Sequence, residues 1–246
     1  MTALRSVTVT VVTANIGRGV TPGVARANLH RIKTELPGAL IGFQEIDEAD
    51  APDEHSRLTT RFPGPPQLHD DLASADEGTY TFAGFNQATP IAVPVPWVIV
   101  SESVKQTCKG RAQVTPHRVV VAARCRPTDE PDFPPVIFLN GHYPRGAADL
   151  WDDCQKSWKR RANDFHEQDL TIITTRDTNK PGRMPKLHPT ERQLLKPHID
   201  RISVIPAKRS SPKFVSARVL STRTVNLTID GHDARAVKLR LTAPNS

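Results

Sequence analysis

Val7, Val9 and Val11 recur at period two and, with Val12, predict a strand that ends at Ala14–Asn15, before the turn at Gly17 and Gly19. Pro22 then stands near a helix start, and Val24, Ala25, Leu29, Ile32 and Leu36 keep helical spacing until Pro37–Gly38 stops the run. Ala39 to Phe43 is a short apolar run, the pattern of a strand buried on both faces. After a Pro-rich, acidic stretch over 63–78 that reads as a surface loop, the pattern turns strand-rich. Thr79–Phe82, Ile91–Val100 broken by Pro94 and Pro96, Arg118–Cys125, Val136–His142, Leu170–Thr174, Ile199–Ile205, Phe214–Leu220, Val225–Ile229 and Ala236–Leu241 are the candidates, giving roughly ten strands in all. Ala147 to Gln168 is the longest helical pattern, with Leu150, Trp151, Cys154, Trp158, Ala162 and Phe165 on one stripe and Lys156, Lys159, Arg160 and Arg161 on the other face. The element order, with many strands and few separated helices, predicts two packed sheets covered by helices.

Composition agrees with a chain that folds on its own core. At 246 residues with 37% hydrophobic and 24% charged side chains, it needs no disulfide or metal staple, and collagen and disulfide-miniprotein classes are excluded. Cys108, Cys125 and Cys154 form no CxxC pair and are read as reduced and structural. The N-terminus alternates apolar and polar residues in place of the uninterrupted apolar core of a secretory signal, and no stretch approaches the roughly 20 apolar residues of a membrane span. A cytoplasmic protein with no membrane association and no obligate protein partner is the expectation.

The net charge of +7 raises the odds of a polyanionic partner, and it is uneven. Residues 1–80 hold 7 basic and 11 acidic side chains, which leaves +11 for residues 81–246. Lys156, Lys159, Arg160, Arg161, Lys180, Arg183 and Lys186 lie near segments that also carry candidate chemistry. With few aromatics for base stacking, contact with a nucleic acid would be through its backbone.

Polar residues cluster at the ends of the predicted strands, where a rigid scaffold can hold reactive groups next to solvent. Asn15 ends the first strand and Gln44–Glu45 the second; Asn140–Gly141–His142 ends a later one. Asp177–Thr178–Asn179 follows Leu170–Thr174, His198–Ile199–Asp200 opens another strand, and Asp230–Gly231–His232–Asp233 precedes the last. Taken singly, each is equally well a turn, cap or solvated side chain.

In this order the segments resemble the endonuclease/exonuclease/phosphatase superfamily, the DNase I-like fold, over residues 7–242. Val12–Thr13–Ala14–Asn15–Ile16–Gly17 is similar to that family's first-strand Asn motif and Gly42–Phe43–Gln44–Glu45 to its "LQE". Asn140–Gly141–His142 is similar to "NTH", Arg176–Asp177–Thr178–Asn179 to "GDFN", and His198–Ile199–Asp200–Arg201–Ile202 to "RIDYI". Asp230–Gly231–His232–Asp233 resembles "SDH" before the closing strand. Arg176 stands in place of the family glycine and Thr178 in place of its Phe; either Asp230 or Asp233 takes the place of the family Asp.

The resemblance implies one domain over 1–246, an α/β (α+β) four-layer α/β/β/α sandwich with two mixed, mainly antiparallel sheets. It implies hydrolysis of a phosphate ester with Mg²⁺, or Mn²⁺, held by Glu45, Asn15 and Asp230 or Asp233. Asp177 would orient or deprotonate the attacking water, and Asn179 would hold the phosphate. Asp200 would fix His232 for a phosphate oxygen, and His142 would act similarly or protonate the leaving group. Arg118, at the head of a strand, is a further candidate phosphate contact. The favoured expectation is a nuclease acting on DNA, or RNA, with little sequence specificity. The alternatives are a phosphatase or phosphodiesterase on a small or lipid phosphate ester, and a nucleic-acid-binding relative without catalysis.

Overall fold

The computed structural model describes residues 4–16, 22–46, 80–84, 87–111, 117–146, 148–182, 184–196, 198–228 and 232–244. Outside them lie Gly17, Gly19, the 63–78 stretch, Thr79, Ala147, Arg183, Ile229, Asp230 and Gly231. The elements in chain order are β1 (Leu4–Asn15), α1 (Pro22–Glu35), β2 (Leu40–Gln44), β3 (Tyr80–Ala83), β4 (Ile91–Pro94), β5 (Trp97–Cys108), β6 (Arg118–Pro127) and β7 (Val136–His142). They continue with α2 (Ala148–Glu167), β8 (Thr171–Asp177), β9 (Arg192–Gln193), β10 (Asp200–Ile205), β11 (Ser216–Val225) and β12 (Ala234–Pro244).

Two six-stranded sheets result, in the orders β11-β12-β1-β2-β4-β3 and β5-β6-β7-β8-β10-β9. Each is antiparallel except for one pair: β1 with β2, and β7 with β8. A parallel pair needs a crossover, and the crossovers are the two long helices, α1 and α2. No described helix is long and apolar enough to cross a membrane.

Strand alternation sorts the apolar side chains into three cores, and these define the four layers. Val9, Val11, Leu40, Val121, Phe138, Ile173, Ile202, Val204, Val237 and Leu239 meet between the sheets. Val12, Ala14, Ile41 and Phe43, on the other face of the first sheet, pack against Ala25, Leu29 and Ile32 of α1. Val120, Ile137, Leu139 and Ile172 pack under Trp151, Cys154, Trp158 and Phe165 of α2.

Three strand boundaries differ from the sequence reading. Ile91–Val100 is broken at Pro94 and Pro96 as expected, since neither can donate to a ladder, but the two halves, β4 and β5, join different sheets. β5 runs on to Cys108 as the edge of its sheet, so its largely exposed SESVKQ stretch shows no apolar alternation. Phe214–Leu220 and Val225–Ile229 give way to the single edge strand β11, exposed along most of its length, with a bulge between Val219 and Ser221. The two-residue β9 carries no pattern to read. Twelve strands stand among the described residues, against roughly ten expected.

The sheets approach each other closely where β2 faces β7 and β8. A Cβ on Gly42 would fall 2.0 Å from Thr175 Oγ1 and 2.6 Å from Asn140 Oδ1, so only glycine fits. Asn140 of β7, completely buried, crosses the gap. Its amide nitrogen donates to the carbonyls of Phe43 (2.6 Å), Thr89 (3.0 Å) and Pro90 (3.1 Å) in the first sheet. Its amide oxygen accepts from Gln44 Nε2 (2.7 Å) and from Thr175 Oγ1 (2.9 Å). Replacing Asn140 by Ala orphans these buried groups at about 1–3 kcal/mol each, so we expect Asn140→Ala to lower unfolding stability by about 2–4 kcal/mol in urea titration. A loss below about 1 kcal/mol would show that the sheets are held elsewhere.

Candidate active site

Register alone brings the polar strand ends together. β1 and β2 run parallel and pair Asn15 with Gln44, and β12 runs back along β1 with Arg235 opposite Thr13, which sets His232 just beyond the end of β1. In the second sheet His142 pairs with Asp177, and Asp177 with Asp200. Both sets sit at one end of the inter-sheet space, next to the Asn140 crossing. Period-two alternation then aims Asn140 and His142, Thr175 and Asp177, and Asp200 inward, and turns Arg176 and Arg201 toward α2.

Asp177 is the hub. Its carboxylate is completely buried and accepts from Asn15 Nδ2 (2.8 Å) and from the backbone amide of Asn179 (2.8 Å). Burial and, after it, the charge of Asp200 raise its proton affinity; the two hydrogen bonds and His232 oppose this without cancelling it. Asp200, equally buried, accepts from His232 Nδ1 at 3.2 Å. Burial disfavours the His232 imidazolium, but that bond and the charges of Asp200, Asp177 and Glu45 outweigh it, and the pKa is raised. His198 lies on the other side of Asp200, its Nδ1 accepting the Asp200 amide at 3.3 Å.

Two residues of the site hold left-handed backbone, Glu45 at φ 58° and Asn179 at φ 48°. Such conformations cost about 1–3 kcal/mol for side chains other than glycine and persist where the surroundings dictate them. The turn at Glu45 points its carboxylate at His142, with Oε1 3.7 Å from Nδ1. Asn179 Nδ2 donates to the Tyr143 carbonyl (2.8 Å) and to His142 Nε2 (2.7 Å), which places the ring proton of His142 on Nδ1, toward Glu45.

Of the residues singled out in the sequence, Asn15, Glu45, His142, Asp177, Asn179, Asp200 and His232 are thus neighbours. Asp233 and Arg118 are not brought to them. Asp233 accepts the Leu227 amide at 3.2 Å and closes the loop between β11 and β12. Arg118, 6% exposed, lies on the α2 side of β6, where its charge acts on Cys108 and Cys154. Asp230 lies outside the described residues. On the basic face of α2, Arg161 turns back to hydrogen-bond Ser103 and to cover the Phe165 ring at 4.2 Å.

The departures at Arg176 and Thr178 have a structural account. Arg176 faces α2, away from the site, and its guanidinium pairs with Glu191 at 2.5 Å and with Ser203 Oγ at 3.1 Å. Glu191 also accepts from the Leu187 amide (2.5 Å) and from Ser203. Thr178 Oγ1 accepts from Arg201 Nε at 3.1 Å, and Arg201 donates further to the carbonyls of Lys180 (3.1 Å) and Gly182 (2.5 Å). Trp151 Nε1 donates to the Thr178 carbonyl at 2.9 Å, and Lys180 lies over the Trp151 ring at 4.5 Å. Arg201 and Trp151 therefore shape the loop that presents Asp177 and Asn179. Sequence reasoning assigned them no role in the site because their partners lie in other segments and most of them are backbone carbonyls.

The donor set fits a hard divalent cation. Three carboxylates crowd together, Asp177 and Asp200 completely buried and Glu45 partly so, and Asp200 Oδ1 is buried with no hydrogen-bond partner among the described residues. One potential ligand atom each of Asp177, Asp200 and His232 lies within 4.8 Å of the others. Oxygen donors with excess negative charge are what Mg²⁺ or Mn²⁺ selects.

No protein-family model and no curated protein sequence matches the chain. Its fold does match solved structures. It is similar to an endonuclease/exonuclease/phosphatase from Bacteroides vulgatus (TM-score 0.65, 12% identity, 95% of this chain and 98% of that one). It is similar also to a mannosyl-6-phosphatase from Bacteroides thetaiotaomicron (0.57, 12%, 95% and 98%) and to truncated TDP2 from Caenorhabditis elegans (0.58, 13%, 97% and 98%). The chain has the endonuclease/exonuclease/phosphatase, or DNase I-like, fold.

The pair beside the site sets an acid limit on stability. Burial opposes the Glu191 carboxylate, but Arg176, Ser203 and the Leu187 amide more than compensate, and its pKa is lowered. A carboxylate with a depressed folded pKa stabilises above its ordinary range and loses that contribution as pH falls through the folded value. We expect Glu191→Ala to cost about 3–5 kcal/mol near neutral pH, because it strands the buried Arg176, and to flatten the fall in stability below about pH 4.5. An unchanged acid limb in urea titrations of the variant would assign that limb to other carboxylates.

Proposed function

We propose that the protein is a divalent-metal-dependent phosphoester hydrolase and, within that class, a nuclease acting on DNA phosphodiesters with little sequence preference. The observation that carries this reading is the buried convergence of Asn15, Glu45, His142, Asp177, Asn179, Asp200 and His232 at one end of the two sheets.

Glu45 and Asn15 would hold the cation. Bound there, it would neutralise the charge that grows on the phosphoryl oxygens and the leaving oxygen. Asp177, whose proton affinity burial raises, accepts a proton from the attacking water, while Asn15 and the Asn179 amide keep its carboxylate in place. His232, whose imidazolium form the bond to Asp200 favours, offers Nε2–H to a phosphate oxygen. Asn179 and His142 form a second hydrogen-bonding edge on the same side. Support for a polyphosphate substrate comes from the net charge of +7 and from Lys180, exposed at the rim beside Asn179.

Incubation with supercoiled plasmid, linear duplex and RNA, each with Mg²⁺, Mn²⁺ or EDTA, tests the proposal. Plasmid should be nicked with metal and spared in EDTA. Asp177→Asn and His232→Ala should lower turnover by about 10²–10⁴ without changing the Mg²⁺ requirement. Glu45→Gln should instead shift the Mg²⁺ response to higher concentration. Intact plasmid and RNA at high enzyme concentration would overturn the nuclease reading. Phosphate release from small or lipid esters alone would then mark a phosphatase, and salt-dependent DNA binding without turnover a non-catalytic binder.

A further inference from the structure

One flank of α2 carries a cleft that the candidate active site does not use. Lys159, Asn163, His166 and Glu167 recur at helical spacing and form one wall. Lys186 and His188, from the segment between β8 and β9, form the other, and the space between them is about 510 Å³, in the range of small-ligand clefts. The His166 and His188 rings lie against each other there, with centroids 4.0 Å apart and planes inclined by 33°. Hydrogen bonds hold the segment in place. Gln155 Nε2 of α2 donates to the Pro185 carbonyl (3.0 Å), the Leu187 amide to Glu191 (2.5 Å) and Lys186 Nζ to the Pro189 carbonyl (3.1 Å).

Donors outnumber acceptors in this cleft. The Thr190 amide donates to His188 Nδ1 at 3.2 Å, so the neutral ring carries its proton on Nε2. No described residue hydrogen-bonds that Nε2, the His166 ring or Lys159 Nζ. Two imidazoles this close repel each other when both are charged. Burial, and after it the charge of His166, holds the His188 pKa below the ordinary range, while Glu191 opposes. An anion between the rings and the lysines relieves that repulsion, whereas a metal cation would meet two ammonium groups.

We propose that this cleft is a second phosphate-binding site, filled by a phosphodiester of a nucleic-acid strand that runs along α2 from the catalytic loop. Lys159, Lys186 and the two imidazoles donate to the phosphate. The strand as its source rests on the nuclease reading; the affinity of the cleft for phosphate does not. The helix sets the span. Trp151, which bonds the Thr178 carbonyl and lies under Lys180, marks the catalytic end. At about 1.5 Å per residue, Lys159 is about 12 Å and His166 about 22 Å farther along. With about 3.4 Å per nucleotide, that is about four to seven steps of a strand. Protonation of His166 and His188 strengthens the site, so affinity rises as pH falls through the ordinary histidine range. The other charged groups around these rings are Lys159 and Glu167 of α2 and Lys186 and Glu191 of the facing segment.

The test keeps the full-length protein in EDTA and follows histidine Cε1–H resonances by NMR as inorganic phosphate is added, with chloride at matched ionic strength as the control. His166→Asn and His188→Asn assign the two signals. Both should shift saturably, with an apparent affinity about tenfold higher at about pH 6 than at about pH 8. In parallel, fluorescence anisotropy measures binding of a duplex of about 20 base pairs and of a tetranucleotide as salt is varied. Lys159→Gln combined with Lys186→Gln should weaken duplex binding by about tenfold, lower the slope of log K against log salt by about 2, and leave the tetranucleotide unchanged. Absence of a phosphate-specific shift at both rings, or a response to Zn²⁺ alone, would overturn the site. Phosphate shifts with an unchanged duplex slope would give the cleft to a free phosphate or small phosphate ester and overturn the strand as its occupant. Duplex binding that depends on the cleft, with no cleavage in any metal, would instead count against the nuclease reading and leave the phosphate site standing.

Discussion

The amide of Asn140 is the constraint on which the rest of the molecule turns. One side chain of the second sheet satisfies three carbonyls of the first and takes two donors in return, in a gap so narrow that Gly42 can carry no Cβ. A buried polar crossing of this kind is worth having only when every group in it is paired, and that requirement sets the spacing and register of the sheets at this end. Burial of Val and Leu in the inter-sheet core is not directional, whereas the hydrogen bonds of Asn140 are. Everything at the neighbouring strand ends inherits its position from that lock.

Polarity on the two faces of the second sheet is then handled in opposite ways. On the α2 face, Arg176 and Glu191 enter the interior as a paired and hydrogen-bonded unit, and the cost of burying each charge is offset by the other. On the inner face, Asp177, Asp200 and Glu45 are gathered with the imidazoles of His142, His198 and His232. The raised proton affinity of Asp177 and the imidazolium favoured at His232 are the response of such a cluster to its own charge. Adjacent residues of one strand, Arg176 and Asp177, thus have unlike environments because successive side chains of a strand face opposite ways.

Much of the fold was legible where one face of an element is buried and the other is not. The α2 stripe of Trp151, Cys154, Trp158, Ala162 and Phe165 and the alternation of Val7 to Val12 survive almost unchanged in the structure. Edge strands were legible least, since β5 and β11 expose most of their side chains and so carry no alternation for burial to impose. The split of Ile91–Val100 between two sheets rests on prolines visible in the sequence, but the change of sheet is a matter of where each half finds a partner.

At the site, the chain order of Asn15, Glu45, His142, Asp177, Asn179, Asp200 and His232 was present in the sequence, because each sits where a strand ends and a turn begins. Residue type and local turn chemistry are short-range properties, and a sequence displays them directly. What only the tertiary structure decided is which of these candidates meet. It turned Asp233 to the Leu227 amide and Arg118 to the α2 side, and gave Arg176 its partner 15 residues on. Those outcomes depend on register between strands and on which face a side chain takes. A shift of one residue reverses that face, and no local pattern of the chain records it.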